Sequence, residues 1–141
     1  MRKLIAFDPS SRSAGYGMFL FRFLISVRLI YGVQDNILSW KQMIEFEHFL
    51  AERGVPFPLL GAITSVYVQF ICGILYLLGA ASRLTGVLLV VNFIAALLIA
   101  HRGDTFVGMF QALTMLFAGL LILLDGPGKF SVDARRLRDS S

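Results

Sequence analysis

Cysteine is nearly absent from this sequence: Cys72 is the only one in 141 residues. A single thiol excludes an intramolecular disulfide, a metal site with two or more thiolates, and redox chemistry through a Cys-x-x-Cys pair. Cys72 itself lies within an apolar run and reads as a small buried hydrophobe. Charge is scarce as well. Asp, Glu, Lys and Arg make up 16% of the chain, against about 25% in a soluble domain, whose surface must face water. Also missing are a nucleophile placed with a base, a phosphate-cradling loop and a carboxylate pair for hydrolysis. No basic stripe interleaved with aromatics appears, so the net charge of +4 does not indicate nucleic acid.

What the chain does have is apolar residues in long blocks. The hydrophobic fraction is 57% and the mean hydropathy +0.74. Four spans can be read, at about 16–36, 59–80, 84–101 and 106–124, each roughly long enough to cross a 30 Å hydrocarbon core as a helix. The last three contain no Asp, Glu, Lys or Arg. In lipid every backbone group must be bonded internally, so the blocks are predicted to be helices. The expected fold is therefore all-α: one integral membrane domain over 1–141, a four-helix bundle.

The links set the topology. Ala81-Ser82-Arg83 and Arg102-Gly103-Asp104-Thr105 are short enough to force antiparallel neighbours. The longer link before the second span alternates Trp40, Met43, Ile44, Phe46, Phe49 and Leu50 with Lys41, Glu45, Glu47, Glu52 and Arg53. That pattern predicts an amphipathic helix over about 38–53, lying at the membrane interface and ended by Gly54 and Pro56. The N-terminal segment, with a turn at Asp8-Pro9-Ser10-Ser11, does not read as a signal peptide. Arg2, Lys3, Arg12, Arg83, Lys129, Arg135, Arg136 and Arg138 fall on one side of the bundle, and Lys41, Arg53 and Arg102 on the other. The positive-inside rule then predicts both termini in the cytoplasm.

Ionisable groups within a span are costly, so each raises a functional question. Arg22 sits near the cytoplasmic end of its span and is expected to snorkel to the interface. Arg28 lies deeper and is expected to point into the bundle, where its loss should be felt more than that of Arg22. Gln69 and Asn92 are central in the second and third spans. Gly61, Ser65, Gln69 and Gly73 share one helix face, as do Asn92, Ala96 and Ala100. Arg28, Gln69 and Asn92 thus form a candidate midplane cluster, either as hydrogen-bonded glue or as a polar pocket. Asp35, His101 and Gln111 form a candidate outer-face cluster, in which Asp35 and His101 could relay protons if they meet. Haem between His48 and His101 is disfavoured, because no helical spacing links them. No metal site is expected.

Several of these features occur together in a known pattern. They are Arg22, then Tyr31-Gly32, Gly54-Val55-Pro56-Phe57-Pro58, Gly73 and Gly79 with Ser82-Arg83-Leu84, and Ala95 to His101. The last is Gly126-Pro127-Gly128-Lys129-Phe130-Ser131-Val132-Asp133. In this order and spacing the chain resembles the DoxX-like family of small four-helix bacterial membrane proteins, from about residue 20 to Asp133. Gly126, Pro127 and Gly128 would stop the last span, and Arg83 would mark a tight corner. The resemblance implies a membrane subunit tied to respiratory or sulfur redox chemistry, with quinone as the one cofactor it suggests.

The chain also departs from that pattern. Tyr31-Gly32 followed by Asp35 stands where the family often has His-Gly and then Lys. Gln69 and Gln111 stand where it often has Glu. Amides hold shape by hydrogen bonding but carry no proton near neutral pH. The reading is therefore an accessory or structural subunit of a larger, redox-related membrane complex, without catalysis of its own. Its partners would be the lipid bilayer and a membrane protein or further copies of itself. A quinone-linked oxidoreductase subunit is the alternative, and a small transporter or channel ranks last.

Overall fold

The computed structural model describes residues 12–140, with side chains from residue 15 onward. The N-terminal turn at Asp8-Pro9-Ser10-Ser11 lies outside the described residues, as do Arg2 and Lys3. Six helices follow in order: α1 (Arg12–Leu38), α2 (Trp40–Glu52), α3 (Pro58–Leu78), α4 (Ser82–Ile99), α5 (Phe106–Asp125) and α6 (Val132–Asp139). There is no strand among the described residues. Four stretches are long and apolar enough to cross a membrane: Gly15–Leu38, Pro58–Leu78, Ser82–Ile99 and Phe106–Asp125.

Local chemistry places the boundaries. Pro58 opens α3 at its first turn, where a missing N–H costs nothing. Gly79 ends α3 with φ +64, and the N–H groups of Gly79 and Ala80 fold back on the carbonyls of Tyr76 and Leu75. The Thr105 hydroxyl caps α5 by accepting from Gly108 N–H at 3.3 Å. Between α1 and α2 only Ser39 leaves the helical path, and the Asn36 amide donates to the Gln42 carbonyl at 3.0 Å across the break. The amphipathic helix predicted over 38–53 is thus α2, starting two residues later because α1 runs on to Leu38. The eight-residue α6 was not foreseen. It is mostly polar and is held in place by contacts made far along the chain.

Two packed regions build the interior. Ile25 and Leu29 of α1 meet Cys72 and Tyr76 of α3, Leu89 and Phe93 of α4, and Ala112, Met115, Ala118 and Ile122 of α5. A smaller region joins Val33, Met43, Leu50, Ala62 and Val66, so α2 packs across α3. The closest pair is α4 with α5. Gly86 and Gly119 bring them together, since a Cβ at Gly86 would stand 2.9 Å from the Gly119 carbonyl oxygen. Only 28% of the apolar window of each span is buried within the chain, which leaves most of each helix to lipid.

Candidate functional site

The strongest polar arrangement lies at the end of the bundle where α1 meets the α3–α4 corner. Arg22 is 1% exposed. Its Nε donates to the Tyr76 carbonyl at 2.9 Å, and Nη2 donates to the Leu77 carbonyl. Its Nη1 donates to the carbonyls of Pro127 and Phe130 at 3.0 and 2.7 Å. One guanidinium therefore satisfies the orphan carbonyls at the end of α3 and fixes the loop after α5. The expectation that Arg22 would snorkel is overturned: it turns inward, because four carbonyl oxygens converge on it.

The rest of the motif closes around this charge. A Cβ at Gly79 would stand 2.5 Å from Ser131 Cβ and 2.8 Å from Arg22 Nη2, so only glycine fits. Asp133 reaches back to cap α4. Its carboxylate accepts from Ala81 N–H at 3.0 Å, Ser82 N–H at 2.8 Å and the Ser82 hydroxyl at 2.6 Å, while Asp133 N–H donates to the Gly79 carbonyl. Partial burial alone would raise the Asp133 pKa. The three hydrogen bonds and the charge of Arg136 outweigh it and hold the carboxyl below its ordinary value. Ser131 caps α6 by accepting from Ala134 N–H at 3.1 Å. The Tyr76 hydroxyl donates to the Ala118 carbonyl at 2.8 Å and ties α3 to α5.

The three midplane residues are distributed over two sides of α3. Gln69 donates from Nε2 to the Ser65 hydroxyl at 3.2 Å and borders a small recess of about 280 Å³ with Gly32, Asn36, Gln42 and Glu45. Asn92 faces a larger lateral groove between α3 and α4, of about 500 Å³, with Ser65, Thr64, Ala96 and Gly61. Its Nδ2 is buried and has no hydrogen-bond partner among the described residues. Arg28 does not enter the bundle interior as expected. It is partly exposed on α1, and its guanidinium lies along its own helix, with Nη1 2.5 Å from where a Cβ of Gly32 would be.

At the opposite end, His101 Nδ1 is 2.8 Å from an Asp104 carboxylate oxygen, a pairing within one turn. Asp35 and Gln111 are exposed on α1 and α5. Arg83 is exposed at the corner, while Gly126, Pro127 and Gly128 form the loop that Arg22 grips. Arg53 donates to the carbonyls of Ile99 and Ala100 at 3.3 and 2.6 Å and lies over the Phe49 ring, tying α2 to the end of α4. Among the described residues no three of His, Cys, Asp and Glu gather where they could hold a metal ion.

The sequence profile of the DoxX family matches residues 17–102, more than half of the chain. The chain belongs to the DoxX family. The match takes in Arg22, Gly79 and Ser82. The loop and helix that complete the clasp of this DoxX protein, residues 126–133, lie beyond it. The chain is also 27% identical over 111 residues to the inner membrane protein YphA of Escherichia coli strain K12, covering 70% of this chain and 79% of that protein. No solved structure matches.

Sequence reasoning undervalued Arg22 because it weighed only the distance to the end of its own helix. The available signal was its place beside Gly79 and the closing Gly-Pro-Gly-x-x-Ser-x-Asp stretch in the DoxX-like pattern the chain resembles. Those three pieces are the parts of one hydrogen-bonded assembly.

Proposed function

We propose that this DoxX-family protein is an accessory, non-catalytic subunit of a larger redox-related complex in the bacterial inner membrane. Its termini would lie in the cytoplasm and α2 along the outer surface. One observation carries this reading. Within the four membrane-spanning helices the charged side chains away from the ends are Arg22 and Arg28, and arginine does not exchange protons near neutral pH. Arg22 is committed to four backbone carbonyls and acts on structure. The likeness to an inner membrane protein and the eight-to-three distribution of basic residues support the location and orientation.

The test is mild extraction of the native protein from its own membranes, followed by mass spectrometry and an activity assay on the protein alone. A stoichiometric membrane partner, with no quinone reductase activity in the isolated chain, is the expected result. A lone chain that carries and reduces quinone would overturn the reading.

A second reading, a quinone-linked membrane subunit, is favoured by the α3–α4 groove. It is apolar, opens sideways and places the unpaired Asn92 amide where a carbonyl oxygen could accept from it. Loss of co-extracted quinone on Asn92→Leu would support it.

A further inference from the structure

Helix α1 carries two opposite charges on the face that looks away from the core. Arg28 and Asp35 are seven residues apart, so at 100° per residue they lie on one side of the helix. Leu20, Leu24, Tyr31 and Leu38 share that side, and together the six residues occupy an arc of about 80°. Leu20 and Leu24 are each 64% exposed, Tyr31 68% and Leu38 83%, whereas Ile25, Leu29 and Val33 on the opposite side are buried. From Leu24 to Leu38 the spacing alternates four and three residues, the heptad pattern of a helix that pairs with another helix.

Both charges lack a partner. Among the described residues no hydrogen bond or ion pair reaches either side chain. Arg28 does not turn toward the bundle end where Arg22 sits. Its guanidinium lies toward Gly32, roughly 9 Å short of the end of α1 at Leu38. A bare guanidinium at that depth in lipid is costly. The carboxylate of Asp35 lies one turn further on, exposed on the same face.

We propose that this face of α1 is the contact between two copies of the chain in the membrane, with Arg28 of each copy paired to Asp35 of the other. The stripe is self-complementary. Two-fold symmetry about the membrane normal keeps the two α1 helices parallel and generates the pair twice, as an isologous contact requires. The direction of Arg28 toward Gly32 makes up most of the rise between the two positions, which leaves the guanidinium near the level of the other copy's carboxylate. No other span can supply the partner charge: α3 and α4 contain no Asp or Glu, and in α5 the only one is Asp125, its last residue. The inference is independent of whether the protein serves as an accessory subunit or binds quinone.

The experiment uses the full chain in native-like membranes. Tyr31→Cys places a thiol at the centre of the stripe, while Cys72 is buried and stays silent. Oxidation should crosslink Tyr31→Cys into dimers and leave Ile74→Cys, on the exposed side of α3, monomeric. Arg28→Asp and Asp35→Arg should each weaken dimerisation by at least about ten-fold, since each leaves like charges facing one another. The double exchange Arg28→Asp with Asp35→Arg should restore it. The proposal is overturned if the wild-type chain stays monomeric at every protein-to-lipid ratio or if Ile74→Cys crosslinks in place of Tyr31→Cys. It is equally overturned if the double exchange dimerises no better than the single ones.

Discussion

Arg22 donates from a single nitrogen to the carbonyls of both Pro127 and Phe130, at 3.0 and 2.7 Å, so the first span is bonded directly to the loop that follows the last. The other two donors reach the end of α3. Everything else at this end of the bundle is arranged around that one charge.

Arg22→Leu is therefore expected to cost at least about 3 kcal/mol, because four carbonyls lose a charged donor and two of them lie on the loop after α5, which otherwise meets α1 only through packing such as Tyr16 against Phe130. Arg28→Leu, with no partner within the chain, should leave the melting temperature of detergent-solubilised monomer unchanged or raised. Arg22→Lys should recover part of the loss, since an ammonium lacks the planar fork. Equal melting of Arg22→Leu and Arg28→Leu would show that the clasp contributes nothing.

Glycine positions near the clasp should separate by space as well as by backbone angle. Gly79→Ala meets Ser131 and the guanidinium in addition to adopting φ +64, whereas Gly126 has φ +80 and open space around it. Gly126→Ala should cost about 1 kcal/mol from the left-handed angle alone. Gly79→Ala should cost clearly more, read as a larger drop in melting temperature.

Asp133→Asn should destabilise the chain by about 1 kcal/mol near neutral pH, the scale of a lost helix cap. Because the folded-state pKa is depressed, the stabilisation is complete above the ordinary aspartate value of about 3.9 and is lost as pH falls through the lower folded value. Melting curves of wild type and Asp133→Asn should thus differ at neutral pH and converge in strong acid. A difference that persists there would assign the effect to shape instead of charge.

Asn92→Leu should raise stability by about 1 kcal/mol in protein stripped of bound lipid, since a buried amide donor without a partner is removed. A fall in stability would mean that the amide is satisfied in the membrane.

Much of the fold could be read in advance, because lipid imposes helices and charge marks their ends. The four spans, the short corners and α2 follow from runs of apolar residues and their interruptions. The register between helices was less legible. Arg22 and Arg28 are separated by six residues on one span, and only the other helices decide which of them turns inward. Four backbone carbonyls, two at the end of α3 and two in the loop after α5, select Arg22, and none of them is near it in sequence. Likewise Asp35 and His101 are both helix-end polar groups. The nearer partner of His101 proved to be Asp104, three residues on, where a tight link brings them together.

The reach of Arg22 to Phe130 also imposes an order on biogenesis. A nascent chain must carry this arginine in α1 while the next hundred residues are still being made. Until the loop beyond the last span emerges, two of its four acceptors do not exist. The bundle therefore cannot lock until the loop after α5 has been made, and a product cut short after α5 would hold a half-satisfied charge in the membrane, a mark by which quality control could recognise it.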